Sequence, residues 1–213
     1  MTRAKICGIR DPGARDAAVA SGADAVGFVV EIPRSRRSIG REEAKSLIRG
    51  LPPFVSSVVV MEPKSAAEAA SIALDTGADV LQVNGTLAAE DLSTLREMVA
   101  ARLVATVPAV PGALEEVRRI AEVADALLVD SQEGGKLGGT GAVHDWNLSA
   151  DLVEAVGAPV ILAGGLSPEN VAEAIRAVGP YAVDVSTGVE TEGRKDPAKI
   201  AAFLREVRCC PPR

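Results

Sequence analysis

The sequence predicts a single α/β domain folded as a (β/α)8 TIM barrel, a closed parallel sheet of eight strands, on three observations. Eight short apolar, β-branched segments recur along the 213 residues, and stretches with helical periodicity separate them. The helix-to-strand joints are short and resemble one another, as in "SGADAVGF" and "TGADVLQV". Such alternation is typical of right-handed βαβ units. Eight units in a chain of this length indicate a barrel at the lower end of the usual size range.

The strands are predicted from continuous apolar segments, as expected for strands that are covered on both faces. They are expected at Lys5–Ile9, Ala25–Val30, Val55–Val60, Val80–Val83, Leu103–Val107, Ala126–Asp130, Val160–Ala163 and Ala182–Val185. An open, doubly wound sheet is the alternative, but it would normally have fewer strands and a GxGxxG motif after the first one. No such motif follows "KIC".

Capping residues mark the helices between the strands. The first helix is expected to begin at Asp11 and to stop at Gly22, and the segment "SAAE" at Ser65–Glu68 is a capping box. In "SPENVAEAIRAVG", Ser167 is the expected cap, and Gly179 supplies the stop.

The composition fits one globular domain over residues 1–213. Hydrophobic residues make up 47% of the chain, and the formal net charge is −6. An acidic chain with 2% aromatic residues lacks the basic, aromatic surface that nucleic-acid binding needs. No apolar run approaches the roughly 18 residues of a membrane span. We therefore expect a cytoplasmic protein without nucleic-acid or membrane partners, with residues 207–213 as a frayed tail.

Cysteine and histidine usage argues against a metal site. The three cysteines are Cys7, Cys209 and Cys210, an odd number without CxxC spacing, and His144 is the single histidine. This pattern provides no disulfide framework and no multi-histidine site. We predict no metal ion, and we assign no role to Cys209 and Cys210.

Two candidate reacting groups end predicted strands: Cys7 in "KIC" and Asp130 in "LLVD". In a barrel, strand ends and the long loops 31–40 and 131–145 lie at the carboxyl-terminal mouth, where active sites form. A thiol and a carboxyl facing each other can act as base and acid if their pKa values are tuned toward neutrality. The alternative for Cys7 is a small buried side chain of the core.

Glycines after the seventh and eighth strands predict a phosphate site. Gly164 and Gly165 allow close backbone approach, and Ser186, Thr187 and Gly188 can present N–H groups at a short helix N-terminus. Barrels commonly bind phosphate in this part of the mouth.

Both long loops have candidate roles. Residues 134–141, "GGKLGGTG", are interpreted as a lid that closes over substrate, with a disordered loop as the alternative. In "PRSRRS", a guanidinium of Arg34, Arg36 or Arg37 can bind a substrate carboxylate. A solvated charge cluster is the alternative, which we prefer for Arg34.

Together these motifs resemble the phosphoribosylanthranilate isomerase family of tryptophan biosynthesis, essentially from end to end. The family's "KICGI", "GADAxGF" and "LQLHG" correspond here to "KICGIR", "GADAVGF" and "LQVNG". Its "GGTGxxFDW", "AGGLxPxNV" and "DVSSGVE" correspond to "GGTGAVHDW", "AGGLSPENV" and "DVSTGVE".

The resemblance implies an Amadori rearrangement of a phosphosugar substrate, N-(5-phosphoribosyl)anthranilate, without metal or cofactor. It implies that Asp130 is the general acid that opens the ribose ring and that Cys7 is the general base that removes the C2 proton. It further implies that Arg37 binds the anthranilate carboxylate and that Asp184 lies near the anthranilate amine. On this interpretation Gly8 leaves room for substrate beside Cys7.

Three positions depart from the family pattern: Asn84 replaces a histidine, His144 an aromatic residue and Arg36 a proline. The last leaves open whether Arg36 or Arg37 binds the carboxylate. Two alternative functions are a histidine-pathway ProFAR isomerase, which uses two aspartates, and a catalytically silent phosphosugar-binding barrel. The protein is expected to be a monomer or a homodimer.

Overall fold

Eight parallel strands form a closed barrel, which confirms the predicted fold. The computed structural model describes residues 1–85, 87–110, 112, 114–130 and 145–210, and the backbone alone of 132–133 and 136–137. The barrel strands are β1 Arg3–Cys7, β2 Ala25–Val30, β3 Ser56–Met61, β4 Val80–Asn84, β5 Arg102–Pro108, β6 Ala126–Asp130, β7 Val160–Leu162 and β8 Ala182–Val185. Each pairs in parallel with the next, and β1 also pairs with β8, which closes the sheet.

The largest difference from the predicted strand bounds lies in β1, which runs from Arg3 to Cys7 rather than from Lys5 to Ile9. Gly8 has a φ of +78°, so the chain leaves the extended conformation there. The N–H groups of Gly8 and Ile9 both donate to the carbonyl of Gly27 at 2.9 Å. Cys7 is therefore the last residue of the strand.

Eight α-helices within the described residues surround the barrel. They are α1 Pro12–Ala20, α2 Arg41–Arg49, α3 Ala66–Thr76, α4 Ala89–Met98, α5 Leu114–Ala121, α6 Trp146–Ala155, α7 Val171–Val178 and α8 Pro197–Cys209. Asp11 and Ser65 cap α1 and α3 as predicted, each accepting a hydrogen bond from the backbone N–H three residues later. None of the helices described here is long and apolar enough to cross a bilayer.

The predicted start of α7 at Ser167 is wrong. The helix begins at Val171, after Asn170, whose side-chain Oδ1 accepts a hydrogen bond from the Ser167 N–H at 2.8 Å. This contact closes a turn that precedes the helix. Ser167 instead lines a cavity at the mouth of the barrel. The predicted stop at Gly179 is confirmed, with a φ of +65°.

Residues 207–210 complete α8 and its cap, whereas we expected fraying from residue 207 onward. Helix α8 continues to Cys209, and both Val207 and Cys210 are buried in the main core. Ile200, Phe203, Leu204 and Val207 form one apolar stripe at helical spacing, which explains why the helix stays docked. Residues 211–213 lie outside the described residues.

Alternation along the strands divides the apolar side chains into two layers. Outward residues such as Ile6 and Phe28 pack with the helices in one large core. Cys7, Val29 and Val60 belong to a separate small cluster. Because this cluster includes the last residue of β1, it lies at the carboxyl ends of the strands.

Short elements after β2 and β8 shape the mouth. Residues Ser38–Ile39 pair with β2 and return the long loop to the sheet. After β8 comes one turn of 3-10 helix, Thr187–Val189, and then a hairpin that pairs Glu190–Thr191 with Arg194–Lys195. The hairpin brings charged side chains back over the end of β8.

Candidate active site

Two adjoining cavities open at the carboxyl ends of the strands. The first, of about 240 Å³, is lined by residues 163–167 and 184–188. The second, of about 400 Å³, is lined by Cys7, by the loop after β2 and by Asn84. Asp130, Asp184 and Ser186 line both cavities, so the two spaces meet at these side chains. The structure therefore places every predicted site residue at one mouth.

Cys7 lies in this mouth with 7% of its surface exposed. Burial raises the pKa of the Cys7 thiol, the Lys5 and Lys195 ammonium groups act in the opposite direction, and Asp184 adds to the rise. We expected a pKa tuned toward neutrality, whereas the net direction is upward. The protein surroundings of Cys7 therefore favour the neutral thiol.

Lys5 is a residue of the site that the sequence argument missed. It lies two residues before Cys7 on β1, so both side chains point into the barrel. The Lys5 Nζ lies 3.0 Å from Oδ1 of Asp184 and donates to Oε1 of Gln82 at 2.9 Å. Burial alone would lower the pKa of Lys5, but Asp184 and Cys7 outweigh burial and raise it. Lys5 is therefore a buried cation beside the thiol.

Gly27 on β2 makes room for this pair. A Cβ at Gly27 would lie 2.9 Å from the Cys7 Sγ and 3.0 Å from the Lys5 Cε. The first distance is shorter than real contacts of a Cβ atom and the second is tighter than most of them, so a side chain at this position would displace its neighbours. The second glycine of "GADAVGF" therefore has a packing role inside the barrel.

Arg37 is held by Glu190, a second residue that the sequence argument did not single out. The Arg37 Nε donates to Oε1 of Glu190 at 2.7 Å, and its Nη2 donates to Oε2 of Glu190 at 2.9 Å and to Oγ1 of Thr187 at 2.8 Å. Burial alone would raise the pKa of Glu190, but hydrogen bonds from Arg37 and Lys195 lower it to about 2. Glu190 is therefore a carboxylate at neutral pH.

The three arginines of the long loop have different surroundings. The Arg37 side chain is 10% exposed, whereas that of Arg36 is 59% exposed, although it too donates to Glu190. Arg34 is half exposed and pairs with Glu62 at the rim of the second cavity. Arg37 is thus the buried, fixed guanidinium of the three.

Gly8 leaves room for Arg37, which differs from the expectation that it leaves room for substrate. A Cβ at Gly8 would overlap the Arg37 Cδ and would lie 3.0 Å from Oγ of Ser186. The arginine stem crosses the end of β1 in the space that the missing side chain leaves. This close approach was not visible from the sequence because the two residues are in different loops.

The predicted phosphate residues line the first cavity together. Gly164 and Gly165 have φ values of +83° and +64°, a conformation that favours glycine. A Cβ at Gly188 would overlap the Leu166 carbonyl oxygen, so this glycine lets the two loops pack against each other. These three glycines therefore contribute only backbone to the cavity wall.

Lys195 lies behind this wall. Its Nζ donates to the Ser186 carbonyl at 2.8 Å and to Oε1 of Glu190 at 2.9 Å. Burial lowers the pKa of Lys195, although Glu190 acts in the opposite direction. Lys195 does not line the first cavity. Its contacts hold the loop after β8 in shape.

The family with this arrangement is identified by comparison with known proteins. The family described as "N-(5'phosphoribosyl)anthranilate (PRA) isomerase" matches residues 4–206 of the chain. The chain belongs to the phosphoribosylanthranilate isomerase family. A relative with this name from Methanothrix thermoacetophila is 48% identical over 210 residues, which cover 99% of this chain and 100% of that protein. A second relative with this name, from Haloferax volcanii, is 47% identical over 207 residues, which cover 96% of this chain and 92% of that protein.

Solved structures of phosphoribosylanthranilate isomerases have the same fold. The Thermotoga maritima enzyme superposes with a TM-score of 0.86 at 33% identity, covering 98% of this chain and 99% of that one. Another was solved in complex with reduced 1-(o-carboxyphenylamino)-1-deoxyribulose 5-phosphate, with a TM-score of 0.81 at 32% identity and the same coverage. These similarities confirm the family that the motifs indicated.

Asn84 stands where the phosphoribosylanthranilate isomerase pattern has a histidine. Its Oδ1 accepts hydrogen bonds from the Thr106 hydroxyl at 2.8 Å and from Nε2 of Gln82 at 3.1 Å. Since Gln82 also accepts from Lys5, Asn84 is the end of a polar chain that crosses the barrel. The proposed lid at 134–141 and His144 lie outside the residues whose side chains are described.

Proposed function

We propose that the protein catalyses the Amadori rearrangement of N-(5-phosphoribosyl)anthranilate to 1-(2-carboxyphenylamino)-1-deoxyribulose 5-phosphate in tryptophan biosynthesis. The observation that carries the proposal is the single mouth that holds Cys7, Asp130, a cavity lined in part by glycines and a buried arginine. Membership of the isomerase family supports the same reaction.

The two cavities suit the two anionic ends of this substrate. The phosphate is placed in the first cavity, where glycine backbone and the start of the 3-10 helix supply N–H donors. The carboxylate is placed at Arg37 in the second cavity, where a charge-assisted hydrogen bond can form. Asp184 lines both cavities and is placed next to the anthranilate amine between them.

Ring opening is assigned to Asp130. As general acid, its carboxyl donates a proton to the ribose ring oxygen while the lone pair of the anthranilate nitrogen forms a double bond to C1. The C1–O bond breaks, and a protonated Schiff base results. Asp130 lines both cavities, as a group acting on the sugar between the two anions must.

Proton transfer from C2 is assigned to Cys7. The thiol first loses its proton to solvent, and the resulting thiolate removes the C2 proton. The electron pair of the C2–H bond forms the C1–C2 double bond, and the nitrogen becomes neutral in an enolamine. Proton gain at C1 and loss from the C2 hydroxyl then produce the ketone. The positive charge of the Schiff base favours the thiolate at this stage, joining Lys5 and Lys195 against the effect of burial.

The two alternatives receive less support. A ProFAR isomerase would use two aspartates, whereas Cys7 stands at the end of β1 here. A silent phosphosugar-binding barrel would not need a thiol and a carboxyl in one mouth. Neither metal nor cofactor enters the proposed steps.

Complementation tests the proposed function. The gene should restore growth without tryptophan to an auxotroph that lacks this isomerase, and it should fail in a histidine auxotroph that lacks ProFAR isomerase. Rescue of the histidine strain alone would favour the first alternative, and rescue of neither by a well-expressed protein would favour the silent barrel.

Assembly and location stay predictions. The relative from Thermotoga maritima is described as dimeric, and for this chain we retain monomer or homodimer. A cytoplasmic location is proposed because the reaction belongs to amino-acid biosynthesis.

A further inference from the structure

Glu190 gathers three cations around one buried carboxylate. Its side chain is 4% exposed and accepts hydrogen bonds from both Nε and Nη2 of Arg37, from Nη2 of Arg36 and from Nζ of Lys195. This carboxylate orders the two buried side chains bound to it, Arg37 and Lys195, because a buried cation that lost its bond to Glu190 would be left without that compensating charge.

These bonds leave one end of Arg37 for a ligand. The edge formed by Nε and Nη2 is occupied by Glu190 and Thr187. Among the residues that the structure describes, none accepts a hydrogen bond from Nη1 of Arg37. Gly8 lies against the stem of the arginine, so the side chain is fixed at both its stem and its head.

We propose that Glu190 is a positioning residue that fixes Arg37 against the phosphate-side loop and presents Nη1 to the carboxylate of the substrate. The inference rests on the proposed function, because it takes Arg37 as the carboxylate-binding group. Glu190 itself makes no contact with substrate in this account. Its role is to make the site selective for a substrate that bears a carboxylate.

Thr187 connects Arg37 to the phosphate cavity. The hydroxyl of Thr187 binds Arg37, while its backbone belongs to the loop that lines the phosphate cavity. The distance between the two anion sites is therefore set by Glu190 and Thr187 together. A substrate with both anions at the right separation meets a site that is already arranged, which lowers the entropy cost of binding.

The test compares two ligands that differ only in the carboxylate. One is reduced 1-(o-carboxyphenylamino)-1-deoxyribulose 5-phosphate, and the other is the matching anilino compound without the carboxyl group. The ratio of their dissociation constants, measured by calorimetry, reports carboxylate recognition alone. We expect a ratio of about 10 to 100 in the unmodified protein.

Glu190→Gln should reduce this ratio to about 3 or less, while the affinity for the anilino compound changes little. Glu31→Gln is the matched control, because it removes the same charge from an exposed pair with Arg41, and it should leave the ratio unchanged. In an Arg37→Gln background, Glu190→Gln should have no further effect on the ratio, as expected for a residue that acts through Arg37.

The outcomes are distinguishable. An unchanged ratio in Glu190→Gln, or an equal loss of both affinities, overturns the positioning role. A ratio near one in the unmodified protein means that the proposed function or the role of Arg37 is wrong, whatever Glu190 does. If Glu190→Gln does not fold, Thr187→Val removes the other acceptor of Nη2 and should lower the ratio in the same direction.

Discussion

Gly8 and Arg37 share one space at the end of β1, since a Cβ on the glycine would overlap the Cδ of the arginine. Gly8→Ala should therefore displace Arg37 and raise KM about tenfold or more, because a charge-assisted hydrogen bond to substrate is lost. Gly8 also has a positive φ, so a stability loss of about 1 kcal/mol should accompany the change.

Gly77→Ala is the control that separates the backbone strain of a positive φ from the displacement of Arg37. Gly77 ends α3 with a φ of +68°, and no atom lies within 4 Å of a Cβ placed there. This variant should show a similar stability loss with an unchanged KM. If both variants have the same KM, Arg37 does not depend on Gly8.

The phosphate site should depend on backbone rather than on hydroxyl groups. Ser186→Ala and Thr187→Ala should each weaken binding of inorganic phosphate by less than about fivefold, because the N–H groups remain. Gly165→Val should reduce phosphate binding far more, since Gly165 lines the cavity at a φ of +64°. Gly22→Val is the control, with a φ of +90° and open space around it.

Soaking crystals with sulfate or phosphate provides a direct check of this site. The anion should lie between the ends of β7 and β8. Its appearance elsewhere in the mouth, with this position empty, would contradict the assignment.

Lys5 should control the ionisation of Cys7. Burial raises the pKa of the Cys7 thiol and Lys5 lowers it, so Lys5→Met should raise it further. The pH midpoint for alkylation of Cys7 by iodoacetamide, followed by mass spectrometry of its peptide, should therefore move upward in the variant. The exposed Cys209 is an internal reference in the same sample. An unchanged or lower midpoint would show that Lys5 does not act on the thiol.

Glu190 should make stability depend on acid pH. Its pKa is lowered from 4.5 to about 2, so its contribution is complete above pH 4.5 and is lost as the pH falls toward 2. The difference in unfolding free energy between the unmodified protein and Glu190→Gln should narrow by about 2 kcal/mol from pH 6 to pH 3 in urea titrations. Glu31→Gln alters an exposed ion pair, so the difference in unfolding free energy between this variant and the unmodified protein should change by no more than about 0.5 kcal/mol over the same pH range. A constant difference for Glu190→Gln would rule out the paired carboxylate.

Much of the barrel was predictable because its signals are local. Continuous β-branched segments mark strands buried on both faces, and caps such as Asp11 act within one helical turn. The start of α7 was missed because Ser167 and Asn170 close a separate turn before the helix, in which the Ser167 hydroxyl accepts from the Glu169 N–H and the Asn170 side chain accepts from the Ser167 N–H. The packed end of α8 depends on a core that is assembled from distant parts of the chain.

The candidate site was predictable only in part. The ends of β1 and β6 place Cys7 and Asp130 at the mouth by topology alone. The inward direction of Lys5 follows from its spacing to Cys7 and could have been recognised. The role of Glu190 could not have been recognised from the sequence. Its partner Arg37 is 153 residues away along the chain, and only the closed barrel brings the two together.

Turnover of N-(5-phosphoribosyl)anthranilate by Cys7→Ser and Asp130→Asn tests the central claim most directly. Each variant should melt normally and lose about 10²–10⁴-fold in kcat, the usual loss on removing a general acid or base. The controls are Cys209→Ser and Asp151→Asn, whose exposed side chains lie outside both cavities, and they should retain full turnover. Unchanged kcat in a folded Cys7→Ser protein would contradict the account and return Cys7 to the packing of the core.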